Sequence, residues 1–193
     1  MRCLKLLSFS LVLTLLSACG PKAADSVSDE AILLESQQWV GSLKEALSAE
    51  LKAALQEGGV PAAIEVCQKV ADPITSEVTA EAPDVRISRT ALRYRNPKNA
   101  PDAGSVAILE KWEAYVKQTG ETPQPVVTRP EGSIIVHYPI RLQANCLMCH
   151  GDPESFAPEV SASLARLYPE DRAVSFKVGD LRGAFRVAYG EAE

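Results

Sequence analysis

Apolar residues recur every three to four positions from Ser28 to Glu57, at Leu33, Val40, Leu43, Leu47, Leu51 and Ala54, which predicts a long amphipathic helix. Gly58-Gly59 closes it, and Pro61 stands where the first turn of a new helix tolerates proline. That second helix is expected over about 61–80, on the stripe Ile64, Cys67, Ala71, Ile74 and Val78, with a kink or break at Pro73. Val85 to Thr90 alternates aliphatic and polar residues as a half-buried strand does, and 96–102 is turn-rich and irregular. A further helix over 105–118 carries Val106, Leu109, Trp112 and Val116 and ends at Gly120. Strands near 126–129 and 133–142 flank Pro130-Glu131-Gly132, and a short helix over 158–168 carries Val160, Leu164 and Leu167. Two last strands, near 173–178 and 184–189, flank Gly179 to Gly183 and predict a hairpin. Long helices followed by an antiparallel sheet with inserted helices make an α+β fold. There is no internal repeat and no Gly-rich phosphate loop.

The N-terminus reads as an address. Arg2 and Lys5 precede an apolar run from Leu6 to Leu16, which is too short to span a bilayer. The run ends in Leu16-Ser17-Ala18-Cys19, which resembles a bacterial lipobox. The resemblance implies a lipoprotein signal peptide over 1–18, acylation of Cys19, a flexible tether over 19–27 and one folded domain over 28–193. Gly20 rather than Asp after the cysteine implies outer-membrane sorting in a Gram-negative cell, with the domain facing the periplasm. The competing reading is a soluble secreted protein cut near Ala18. Gly20 to Val27 reaches about 28 Å at most, so the domain is expected close to the membrane.

Composition narrows the classes. With 193 residues, 46% apolar and 23% charged, the chain suits a single domain with a real core. A net charge of −5 argues against a nucleic-acid partner, and loss of Arg2 and Lys5 makes the mature chain more acidic still.

Of the five cysteines, Cys3 leaves with the signal and Cys19 takes the lipid, so Cys67, Cys146 and Cys149 remain. Cys146-Leu147-Met148-Cys149-His150 is the attachment pattern for c-type haem. Two thiols at this spacing reach the two vinyl groups of one porphyrin as thioethers, and the adjacent imidazole binds the iron from below. One covalently attached haem c is therefore expected, with His150 as proximal ligand. A zinc site would need four ligands, from Cys146, Cys149, His150 and either Cys67 or His137. A redox disulfide would need a strand–helix βαβ setting that the pattern lacks.

The second axial position is left open by the residues. Met1 is removed with the signal and Met148 lies inside the attachment loop, which excludes His/Met ligation. Cys67 is either a ligand or a small core hydrophobe on its helical stripe. His137, on a strand face with Ile135, is a structural or porphyrin-edge residue or a ligand, and an open position completes the choices. Arg86, Arg89, Arg93, Arg95 and Arg182 suit haem propionates or a solvated basic face, with none singled out. Trp39, Trp112 and the tyrosines read as packing.

Ala63-Ile64-Glu65-Val66-Cys67, Arg95-Asn96-Pro97-Lys98-Asn99-Ala100-Pro101-Asp102 and Gly179-Asp180-Leu181-Arg182-Gly183-Ala184-Phe185, together with the attachment motif, resemble a family of PAS-like single-haem c-type domains. Its members stand alone or form the extracytoplasmic part of bacterial sensors, and the likeness spans most of the chain after the tether. It implies a PAS-like antiparallel sheet and makes Cys67 the axial ligand opposite His150. Ferric iron, a dianionic porphyrin and a thiolate sum to zero, so reduction would leave a partly buried negative charge and a low potential. The expected role is a low-potential redox or ligand sensor acting on an unidentified protein partner. The alternative is an electron-transfer cytochrome lipoprotein in a membrane-associated chain. A peroxidase would need an open iron site, and no catalytic residue is assigned.

Overall fold

Ser28 caps the first helix, its hydroxyl accepting from the Ala31 amide at 3.3 Å, and Asp29 and Glu30 set negative charge at the helix's positive end. In the computed structural model, which describes residues 27–82 and 84–190, α1 (Asp29–Ala80) consists of two arms. Gly58 (φ −147°, ψ 16°) and Gly59 (φ 69°, ψ −161°) leave helical geometry between them. The Gly59 conformation is open essentially to glycine alone. A continuous helix would set Ile32 and Val78 roughly 70 Å apart. Instead both join one buried cluster with Leu43, Val85, Ile87, Val136 and Val187, so the arms double back at the two glycines.

The break expected at Pro73 does not occur, and the arm stays helical through it. Proline removes one amide donor, and the turn around it is held from both sides. Ile74 and Val78 pack on the sheet, Ile64 packs on another helix, and the Thr75 hydroxyl donates to the Ala71 carbonyl at 2.6 Å.

β1 (Val85–Thr90), β2 (Val126–Thr128), β3 (Ile134–Arg141) and β4 (Leu181–Tyr189) form one antiparallel sheet in the order β1-β4-β3-β2. Alternation divides it cleanly. Val85, Ile87, Val136, Phe185 and Val187 face α1, while α2 (Ala103–Thr119) covers the opposite face with Leu109 and Trp112 against Leu181 and Ala184. Asp102 caps α2 by accepting from the Ser105 amide at 2.6 Å, and Gly120 in the left-handed region ends it. After the sheet's third strand come the single-turn α3 (Leu147–His150) and α4 (Pro158–Leu167), whose Val160 and Leu164 pack on Ile64 of α1. The fold is α+β, as the pattern predicts.

The final hairpin is a misreading. β4 pairs with β1 and β3, and 173–178 forms no strand. Ser175 has φ 59°, and the amides of Ser175 and Phe176 donate to the Gly151 and His150 carbonyls at 2.7 and 3.0 Å. The segment spends its backbone on the attachment turn. Among the described residues no helix is long and apolar enough to cross a membrane. The segment expected to be a signal peptide, with Cys3, and the expected lipidation site Cys19 lie outside the described residues.

Candidate functional site

Cys146 heads α3, so Cys146, Cys149 and His150 stand at i, i+3 and i+4 on one face of one helical turn. The turn is braced at its start by the Gln143 amide, which meets the Cys146 sulfur at 3.4 Å. At its end the Gly151 amide donates to the Leu147 carbonyl at 2.9 Å, and a Cβ on Gly151 would come within 2.6 Å of that carbonyl oxygen. His150 Nδ1 donates to the Ala173 carbonyl at 2.7 Å, which leaves Nε2 as the ring's donor atom for a metal. The Phe176 ring meets the imidazole edge-on, with centroids 6.2 Å apart.

These residues line a cavity of about 310 Å³ together with Cys67, and both arms of α1 wall it, through Leu47, Leu51 and Leu55 and through Ile64, Val66 and Val70. The helical hairpin thus brings Cys67 and the attachment motif, far apart in sequence, to one space. His137 is elsewhere. It lies on the α2 face of the sheet, 2% exposed, with Nε2 2.9 Å from the Ser105 hydroxyl, and takes no part in the cavity. Nor do the zinc candidates assemble: among the described residues no three His, Cys, Asp or Glu side chains group closely enough to hold a metal ion. Cys67, Cys146 and Cys149 are all free thiols.

Burial dominates the electrostatics. It raises the Cys67 thiol, against the downward pull of Arg89 and Arg95, and raises Cys149, against Arg95. His150 is pushed down to about 3 by burial, then by Arg95 and Arg182, with the Ala173 bond opposing, so its imidazole stays neutral and ready to ligate.

Arg95 is the residue that patterning undervalues. Its Nε pairs with Asp171 at 2.9 Å, both side chains nearly buried, and Nη2 donates to the carbonyls of Cys149 and Ala173 at 2.5 and 3.2 Å. It locks the attachment turn to the segment that anchors His150. Arg93 reinforces this with its guanidinium 3.5 Å from the Phe176 ring centroid and a bond to the Val174 carbonyl. Tyr168 packs against the Ile64, Val160 and Leu164 cluster, as read from the sequence, and does more. It lines the cavity, and burial, with the Cys67 charge next, pushes its phenol up to about 12. The arginine-rich stretch 89–95 was the available signal, whereas the Ala173 carbonyl, a backbone group, leaves none in sequence.

A family model described as Tll0287-like matches residues 22–189. Among solved structures the chain is similar to the cyanobacterial heme-protein Tll0287, with 25% identity and a TM-score of 0.61 over 86% of this chain and 99% of that one. The comparison with curated proteins finds no match.

Proposed function

The chain belongs to the Tll0287-like family, and from that premise we propose that it is a single-haem c-type protein with His150 and Cys67 as axial ligands. The observation that carries this reading is the cavity that Cys67 shares with Cys146, Cys149 and His150, with His150 Nδ1 already committed to Ala173. The donor set fits the group. Cys146 and Cys149 would form the thioethers, apolar side chains from both arms of α1 would cover the ring, and the arginines would answer its negative charge. The haem would supply a one-electron couple. The protein holds the proximal imidazole neutral and offers a thiol whose ionisation burial resists and two arginines favour.

In our reading the couple has a low potential and serves sensing. Cys67 sits on the arm of α1 whose continuation, Ile74 and Val78, packs into the main core. Loss of the thiolate on reduction, or its displacement by a small ligand, would free that arm for a partner to read. Electron transfer is the second reading, favoured by Met148, which is 43% exposed on the attachment turn itself. Export, acylation of Cys19 and a periplasmic, outer-membrane-anchored position belong to the same proposal.

Ferric and ferrous absorption spectra with EPR, on wild type and Cys67→Ser, test the ligand set. A low-spin ferric thiolate signature present in wild type and lost in the variant supports it. An unchanged variant spectrum removes Cys67 from the iron, and a chain without haem overturns the proposal. Rapid reduction by quinol-chain donors would favour the carrier over the sensor.

A further inference from the structure

Three arginines, Arg89, Arg95 and Arg182, line the cavity against one acidic residue, Glu50. Two of the three are hydrogen-bonded to the protein. Arg95 is spent on Asp171 and on the Cys149 and Ala173 carbonyls, and Arg182 donates to the Arg93 carbonyl at 3.0 Å with its guanidinium 5.7 Å from the Phe176 ring centroid. Arg89 differs. It projects from β1 on the face that meets α1, and its Nε is buried with no hydrogen-bond partner. The Asp72 carboxylate paired with it is 4.0 Å away, and that same carboxylate is held by Lys98 at 3.0 Å.

A buried guanidinium nitrogen without an acceptor is a costly arrangement, and the planar fork of arginine is matched by a carboxylate. We propose that Arg89 is the partner of a haem propionate, whose carboxylate accepts from Nε and adds a second negative charge to that of the shared Asp72. Burial lowers the pKa of Arg89 even against the opposing pulls of Asp72, Cys67 and Tyr168, as expected for a cation short of neutralisation. The inference deepens the haem reading and rests on it. It also gives Arg89 a second consequence. The same guanidinium is electrostatically coupled to Cys67, so one side chain on the edge strand senses both the propionate and the axial thiol.

The test uses the full-length haem-loaded protein, with resonance Raman spectra of the propionate bending mode and potentiometric titration for wild type, Arg89→Gln, Arg89→Lys and Arg86→Gln. Arg86 is the control, a neighbour on β1 that is exposed and outside the cavity. Arg89→Gln is expected to shift the propionate band and lower the midpoint potential, since loss of a nearby positive charge favours the ferric state. Arg89→Lys, which keeps the charge and loses the fork, should shift the band with a smaller fall in potential and remains informative if the glutamine variant does not fold. Arg86→Gln should leave both unchanged. Haem attached with wild-type band and potential in both Arg89 variants would overturn the assignment while leaving the haem reading intact. A wild-type chain with no haem would instead overturn the reading beneath it.

Discussion

At 2% exposure His137 has Nε2 against the Ser105 hydroxyl and a buried Nδ1 without a hydrogen-bond partner. Burial first, and Arg186 second, push its pKa down to about 4, with Asp102 pulling the other way. In the unfolded chain it titrates near its ordinary 6.5. Between those values the unfolded state binds the extra proton, so stability is complete above 6.5 and falls as pH drops towards 4, by up to about 3 kcal/mol. Urea unfolding midpoints at about pH 7.5 and about pH 4.5 should differ in wild type, and the difference should shrink in His137→Gln. At this scale the candidate site was largely legible, because Cys and His are rare and their spacing carries chemistry. What holds them was not. Arg95 reads as one cation among several until Asp171 and two carbonyls are seen around it.

Among the elements, the two arms of α1 were readable because Gly58-Gly59 and Pro61 punctuate a strong helical stripe. Segment 173–178 misled because alternation of apolar and polar residues satisfies more than one kind of partner. There the partner is the attachment turn instead of a neighbouring strand. The glycine turn has a price that can be measured. Gly59→Ala should destabilise the protein by about 1–3 kcal/mol, since its φ of 69° and ψ of −161° suit glycine alone. Chemical denaturation should show that loss, with no comparable effect from Gly41→Ala, at a helical position with nothing within 4 Å of an added Cβ.

For the whole molecule, the α+β class followed from the order of helical and alternating segments, but the order of strands within the sheet did not, because register and adjacency depend on contacts across distant parts of the chain. The proposed anchor is tested at this scale too. Labelled palmitate should enter the wild-type chain expressed in a Gram-negative host and not the Cys19→Ser variant, and membrane fractionation should release the variant to the soluble periplasm. Labelling that persists in Cys19→Ser would remove the lipid assignment.

The position of β4 has a consequence for how the protein is made. It is the last strand in sequence yet lies in the interior of the sheet, paired on both sides by β1 and β3. Neither neighbour can pair with it until residues beyond 180 are available, so every strand pairing except the short β2–β3 ladder waits for β4. Cys146 and Cys149 precede that strand, and they emerge onto a chain that is still open. Both thiols are therefore out on the chain before the sheet can complete itself around β4, and they stay partly exposed once it has.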